Sequence, residues 1–483
     1  MSTNSTLVLF GAKGNLSRIK LIPSLFHLDE AGKLPEEMKI LSVGRQTVSQ
    51  EEWVAKIKGM LDTKFNNKYD LKVFDRFIKR NIYHANLPDD PNAFKKFSEL
   101  LLNDDRFPKN FAFFLSVRPS DFALIVDQLA QENLLNEEQY WRRVLIEKPF
   151  GTNLKSAIEL QLSISKHLKE TQIYRIDHYL GKSALQNILW TRFSNSIFEH
   201  MWNNEHIDHI QITNHETLGV GERTQFYDAT GALRDMTQSH LLQMLALTTM
   251  EKPKSFSPDD IRIEKIKLLK SIRPIPINKI DKYAFRAQYK SGNIGKEGHV
   301  KGYLEELEND KSVVETYAAI KLFIDNPRWK NIPIYLRTAK RLNQSGTFIS
   351  IKFKNDQDNK KSANNWLVFS IQPKESTYFE IQTKVPGLNE VDLRTTRLEG
   401  MNRLDQDEKI DAYETLMLDL LEGNQSRFLH IDEVKAAWSL IDPIIEHWSN
   451  NNEKVHQYTA GTSDPKESEV IFENQSQFWR RGN

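Results

Sequence analysis

Ser5-Thr6-Leu7-Val8-Leu9-Phe10-Gly11-Ala12-Lys13-Gly14-Asn15-Leu16-Ser17 is a short apolar run that ends in a glycine turn, and Ile19, Leu21, Ile22, Leu25 and Phe26 follow at helical spacing. Strand, glycine turn and helix in this order are what a pyrophosphate site needs, because the first turn of the helix presents backbone N–H groups that lack an internal acceptor. Glycine permits the tight turn and the close approach of a phosphate. Two glycines fall short of the full three-glycine fingerprint, so the turn taken alone leaves a plain structural bend open.

Downstream segments extend the alternation. Met38 to Val43 reads as a second strand leading to Gly44-Arg45-Gln46. A carboxylate at this edge would accept from the ribose hydroxyls of NAD, whereas an arginine suits the 2'-phosphate of NADP through a charge-assisted fork. Arg45 therefore points to NADP and leaves NAD open, since a guanidinium can also stack on adenine. Glu51 to Leu102 reads as polar helical scaffold interrupted by Tyr69 to Tyr83. Phe111 to Val117 is a dense apolar strand, stopped where Pro119 restricts Arg118, and a helix is expected from Phe122 to Gln131. Arg143 to Ile146 is a further core strand running into Glu147-Lys148-Pro149-Phe150-Gly151. Ligands of open parallel sheets lie beyond the carboxyl ends of the strands, which makes Lys148 a candidate to reach both substrate and cofactor. A crossover helix over Leu154 to Leu168 completes the pattern of a doubly wound, Rossmann-like α/β domain over residues 1–179.

The chain of 483 residues exceeds the size of one hydrophobic core, which stops growing at about 250–300 residues. Its 66 Lys plus Arg and 65 Asp plus Glu are interspersed, so nucleic acid is an unsuitable partner, while a small anion needs only a few local cations. The absence of cysteine excludes disulfides, thiolate metal sites and a thiol nucleophile, in keeping with a reducing, cytoplasmic setting. No apolar run is long enough for a membrane span, and no secretory leader is evident.

Arg175-Ile176-Asp177-His178-Tyr179-Leu180-Gly181-Lys182 places a carboxylate, an imidazole, a phenol and an ammonium around a flexible glycine. That concentration of chemistry favours a site over a packed strand. A second such stretch, Gly231-Ala232-Leu233-Arg234-Asp235-Met236-Thr237-Gln238-Ser239-His240, reads as a glycine-started helix whose buried side is Leu233, Met236, Leu241, Met244, Leu245 and Leu247. Oxidation of an alcohol by hydride transfer needs a base for the hydroxyl proton, and histidine held by a carboxylate suits that task near neutral pH. His178, His206, His209, His215 and His240 all compete for it on sequence order alone. His206 and His209, with Asp208 between them, lack a further well-spaced ligand, so no metal is expected.

These stretches together resemble the glucose-6-phosphate dehydrogenase family. The glycine turn is similar to its Gly-Ala-Thr-Gly-Asp-Leu-Ala start, with Lys13 for the usual Thr or Ser, Asn15 for Asp, and Ile19 where an Arg is common. Glu147 to Gly151 matches the family's Glu-Lys-Pro-Phe-Gly in full, and the octet at Arg175 resembles its active-site signature. Ser116-Val117-Arg118-Pro119 resembles a segment near the nicotinamide, with Arg118 at a usually small position. The resemblance implies NADP, with NAD open, held by Gly11, Gly14, Asn15, Leu16, Lys20, Arg45 and Lys148. It implies His240 as the general base and Asp177 as its carboxylate partner. Donors from His178, Tyr179 and Lys182 would then grip the phosphate of glucose 6-phosphate, with Lys148 at the substrate hydroxyls. Glu216, in His215-Glu216-Thr217-Leu218-Gly219-Val220, and Asp235 would accept from the sugar.

From residue 180 to 483 the expected fold is a larger α+β domain on a mainly antiparallel sheet. Strands are expected at Ile210–Thr213, Phe285–Tyr289, Thr316–Ile324, Thr347–Phe353, Trp366–Gln372 and Tyr378–Thr383, covered by helices from Ala232 and Ala412. Trp329 to Leu342 reads as another strand ending in cations; its family counterpart sets a lysine beside the sugar, here Lys340, after Ala339 in place of Gly. Asp411-Ala412-Tyr413-Glu414 reads mainly as core, Asp356 to Asn365 as a hairpin excursion, and the tail from Glu453 as polar and loosely packed except at Phe478 and Trp479. The resemblance further implies a homodimer formed through the sheet.

Overall fold

The strand Thr6–Phe10 (β1) is buried along its whole length, as a strand with helices on both faces must be. It pairs in parallel with Lys39–Gly44 (β2) and Phe111–Leu115 (β4). In this computed structural model, which describes residues 4–87, 90–355, 364–386, 392–401, 410–451 and 455–482, Asn81–Ala85 (β3), Arg142–Ile146 (β5) and Ile173–Ile176 (β6) extend the parallel sheet. Phe428–Leu429 (β17) adds an antiparallel edge, giving the order β17-β6-β5-β4-β1-β2-β3. The order reverses at β1, where such sheets open a crevice for a ligand. The Rossmann-like expectation is thus met. β3 lies inside the stretch expected to be helical and polar, because only Asn81 of this edge strand is fully buried and it carries no dense apolar pattern.

Two compact units emerge, and they interleave along the chain. The first is Met1–Lys182 with Ser255–Arg262 and Lys409–Val434; the second is Ser183–Lys254, Ile263–Glu408 and Lys435–Asn483. The single boundary expected at 179/180 falls after Lys182, and two later stretches rejoin the first unit. The helix Ala412–Glu422 accordingly does not cover the second sheet. Its Tyr413, Leu416, Met417 and Leu420 share a core with Leu7, Leu9, Phe26, Trp53 and Phe114.

The second unit holds a nine-stranded sheet. Its strands are Ile207–His215 (β7), Ala284–Lys290 (β8), Tyr317–Leu322 (β11), Ile334–Ala339 (β12), Gly346–Phe353 (β13), Trp366–Gln372 (β14), Ser376–Lys384 (β15), Leu393–Met401 (β16) and His456–Thr459 (β18). They run in the order β16-β15-β14-β13-β7-β12-β11-β8-β18. Gly292–Ile294 (β9) and Gly298–Val300 (β10) form a separate hairpin. Pairing is antiparallel except for β7 with β12 and β8 with β18, which fits the mainly antiparallel α+β expectation. β16 is largely exposed and so lacks the alternation that marks its neighbours.

Two expectations for this unit are corrected. The tail is packed beyond the expected anchor at Trp479: Tyr458 and Ile471 also share a core with Tyr289, Tyr317 and Tyr335, because a few apolar side chains anchor an otherwise polar segment. The helix at Leu233–Leu241 is a π-helix, whose wider turn buries Thr237, Ser239 and His240 and leaves Met236 half-buried. Of the Asp356–Asn365 excursion, all but Asn364 and Asn365 lie outside the described residues.

Candidate functional site

At the nucleotide end of the first unit, the turn after β1 is tied to two neighbouring strand ends. Gly11 and Ala12 both donate to the Val43 carbonyl at 3.1 Å. Gly11 has φ +78°, and a Cβ there would meet the Ser116 carbonyl oxygen at 2.2 Å, so a side chain is excluded twice over. Ser17 Oγ donates to Gly11 O at 3.0 Å and lies 3.3 Å from Ser116 Oγ. The helix then begins at Asn15 and Leu16, with Asn15 Oδ1 accepting from Arg18 at 2.9 Å and Leu16 packed on the core. Gly14 is less constrained, since a Cβ there would lie 3.0 Å from Gly11 O, tight but without a positive φ. A turn with glycine at both ends leading into a helix start, carrying Lys13 and followed in the next loop by Arg45, fits a dinucleotide phosphate. Arg45 Nη2 donates to Asp121 Oδ2 at 2.6 Å. Lys20 Nζ donates to Asp411 Oδ2 at 2.6 Å, which commits its ammonium to the cap of the Ala412–Glu422 helix.

The ends of β5 and β6, paired at Ile146 and Arg175, bring the next candidates together. Lys148 follows β5 through a cis bond to Pro149. Asp177 follows β6, is fully buried, and accepts from Tyr179 N at 3.0 Å, while its own carbonyl accepts from Leu180 N. This turn stacks the motif on itself: Lys182 Nζ stands 3.6 Å from the Tyr179 ring centroid, and the His178 and Tyr179 rings are 5.0 Å apart. Gly181 is required because a Cβ would lie 2.6 Å from the Ala412 carbonyl oxygen.

Tyr413 is the residue that sequence reasoning assigned to plain core. Its ring stacks on His178, with centroids 6.4 Å apart, and its hydroxyl donates to Glu147 Oε1 at 3.2 Å. Burial raises the Glu147 carboxyl to about 7, offset in part by the Tyr413 hydrogen bond and Lys148, with the Asp177 charge adding to the rise. The Asp-Ala-Tyr-Glu string was the available signal.

In the second unit, β7 and β12 align His215 with Ala339, and the next residue of each strand carries a candidate. Lys340 Nζ donates to Glu216 Oε2. The same ammonium lies 5.4 Å from the Tyr227 ring centroid. Burial drives the Tyr227 phenol well upward, followed by the charges of Glu315 and Asp235. Lys340 thus links Glu216 to Tyr227, a residue the sequence reading did not single out. The helix bearing Asp235 and His240 packs on β12 and β7, and Glu315 anchors its start by accepting from Leu233 N at 2.9 Å. His240 is buried.

The competing histidines are sorted by their surroundings. His209 is buried in the sheet, 2.5 Å from Asp208 and 3.0 Å from the Gln211 amide. His215 lies 3.5 Å from Asp464, which also pairs with buried Arg337 at 2.5 Å. Both serve the sheet interior, while His206 is exposed. Among the described residues, no group of three or more His, Cys, Asp or Glu could hold a metal ion, and no helix is long and apolar enough to cross a membrane. Asp177 and His240 belong to different units.

Comparison with known proteins bears on what these groups do together. Residues 8–187 match the family model described as glucose-6-phosphate dehydrogenase, NAD binding domain, and residues 189–480 match the C-terminal domain of the same family. The chain is 39% identical to glucose-6-phosphate 1-dehydrogenase of Chlamydia pneumoniae, covering 98% of this chain and 95% of that protein. It is 38% identical to the enzyme of that name from Bacillus subtilis (strain 168), covering 99% of each. A solved glucose-6-phosphate dehydrogenase in complex with its substrate glucose 6-phosphate superposes with a TM-score of 0.90 at 32% identity over 100% of both chains. The Mycobacterium avium enzyme superposes with a TM-score of 0.83 at 27% identity over 99% of each. The chain thus belongs to the glucose-6-phosphate dehydrogenase family and is an oxidoreductase of that type with a nucleotide-binding domain.

Proposed function

We propose that the chain oxidises D-glucose 6-phosphate to 6-phosphoglucono-δ-lactone with NADP as hydride acceptor, the entry reaction of the oxidative pentose phosphate pathway. The observation that carries the substrate reading is the Lys340–Glu216 pair at the ends of two aligned strands: a donor and an acceptor that suit vicinal sugar hydroxyls, with Asp235 assigned as the second acceptor. His240 takes the proton of the carbon 1 hydroxyl, and Asp177 is the carboxylate that stabilises the resulting imidazolium. His178, Tyr179 and Lys182 hold the phosphate, and Lys148 steadies the hydroxyl region. Gly11, Gly14, Asn15, Leu16 and Lys20 belong to the dinucleotide side, with Arg45 for the 2'-phosphate. The bound nicotinamide supplies a two-electron acceptor for the hydride. Without a metal in this scheme, the residues themselves position the substrate, hold the proton and keep water away.

The nine-stranded sheet, with its exposed Leu398 and Met401 on β16, is the face we assign to a homodimer of a cytoplasmic enzyme. Steady-state assays of glucose 6-phosphate with NADP and NAD in separate reactions test the activity. Faster reduction of NADP at equal concentration is expected; no reduction of either nucleotide would sink the reading. Preference for NAD would leave the sugar chemistry and reject the cofactor assignment. Light scattering at working concentration tests the dimer.

A further inference from the structure

Three loops converge beyond the carboxyl ends of β1, β2 and β4, and each brings one cation. The β1 loop contributes Lys13, whose Nζ donates to Gln46 Oε1 at 2.5 Å. The β2 loop contributes Arg45, bonded to Asp121 at 2.6 Å. The β4 loop contributes Arg118, whose Nε lies 3.5 Å from the same Asp121 Oδ2.

The loops are fixed where the cations leave them. Gly44 lies against Tyr83, whose hydroxyl oxygen would be 2.2 Å from a Cβ there, and that hydroxyl donates to Gln46 O at 2.7 Å. Gly11 is seated on Ser116. Asp121 has only 16% of its side chain exposed and accepts from its neighbour Ser120 at 3.1 Å, whereas Arg45 and Arg118 are 57% and 73% exposed. An anchored carboxylate thus holds two solvent-facing guanidinium groups that would otherwise repel each other.

Resting on the NADP reading above, we propose that Lys13, Arg45 and Arg118 form one receptor for a ribose 2'-phosphate, and that Asp121 is the positioning residue that keeps its two guanidinium groups together. Three cations against one carboxylate leave two net positive charges, which matches a phosphate monoester carrying about −1.5 to −2 at neutral pH. Guanidinium forks supply planar paired donors, and the Lys13 ammonium, held by the Gln46 side chain next in sequence to Arg45, adds a point charge. Exposed ion pairs add little to folding, so stability gives no reason to gather like charges here. Lys13 and Arg118 are also the two places where this chain puts a cation in place of the small or hydroxyl residue expected from the family resemblance. Arg118 meets Arg45 at Asp121 and Lys13 meets the adjoining Gln46, so the arrangement is a property of this chain's own side chains.

Calorimetric titration of the full chain with adenosine 2',5'-bisphosphate and with adenosine 5'-monophosphate tests the proposal independently of turnover. The wild-type protein is expected to bind the bisphosphate more tightly, with a preference that shrinks as salt rises. Lys13→Thr and Arg118→Ala should each weaken the bisphosphate by about fivefold, the scale of one partly exposed charge contact, and leave the monophosphate unchanged. Arg118→Lys should retain most of the preference. Asp121→Asn should also reduce it; an increased preference would overturn the positioning role and make Asp121 a competitor of the phosphate. A wild-type protein with no preference would overturn the NADP reading and this receptor together. A preference that survives both Lys13→Thr and Arg118→Ala would overturn the receptor alone and leave Arg45 in place.

Discussion

Glu216 and Lys340 are bonded side chain to side chain because each is the first residue past the aligned pair His215 and Ala339 of two parallel strands. The sheet register sets their meeting, so neither is held by a flexible loop. Replacing Lys340 by Ala should raise the KM for glucose 6-phosphate by about tenfold, the size of one lost charge-assisted contact, with a smaller change in kcat. Steady-state kinetics at saturating nucleotide measures this, and an unchanged KM would remove Lys340 from the sugar site.

His240→Ala should lower kcat by about a hundredfold or more while leaving sugar binding nearly intact, as expected on loss of a general base. Lys182→Ala should show the reverse pattern, with weaker substrate binding and a modest rate effect. A His240 variant turning over at the wild-type rate would reject the base assignment.

For Arg45→Ala, the KM for NADP should rise by about tenfold, with NAD changing little, since only NADP carries the group that a guanidinium fork recognises. Parallel kinetics with both nucleotides provides the check, and a constant ratio would count against the role.

Burial moves the Glu147 carboxyl from the ordinary 4.5 to about 7. The raised value means the folded state favours the protonated acid. Its contribution is complete below the unfolded carboxyl's pKa and is lost as pH rises through about 7. Glu147→Gln should therefore flatten the stability profile between those limits and stabilise the protein at alkaline pH by up to about 3 kcal/mol. Thermal melts of both forms across that range would show it, and parallel profiles would refute it.

Gly11→Ala should destabilise the first unit by about 2–4 kcal/mol, because a Cβ is opposed both by the positive φ and by the Ser116 carbonyl. Denaturant midpoints measure the loss, which is expected even without nucleotide.

Much of the first sheet was legible because its central strands are dense apolar runs ending in glycine or proline punctuation. β3 and β16 were not, since an edge strand and an exposed strand need no such pattern. The residues around each candidate cluster divide in the same way. Local strings exposed Asp177, Lys148 and Glu216, but Tyr413, Tyr227 and Glu315 act through partners far away in sequence. Helical periodicity also misplaced Met236, because the π-helix turns more slowly than the α-helix assumed in reading it.

The return of Lys409–Val434 to the first unit has a consequence for biosynthesis. When a ribosome has finished the parallel strands, Tyr413, Leu416, Met417 and Leu420 have yet to be made, so Phe26 and its neighbours await part of their cover. A nascent chain at that stage exposes apolar surface that invites chaperones. An excised nucleotide-binding half would carry the same uncovered face permanently.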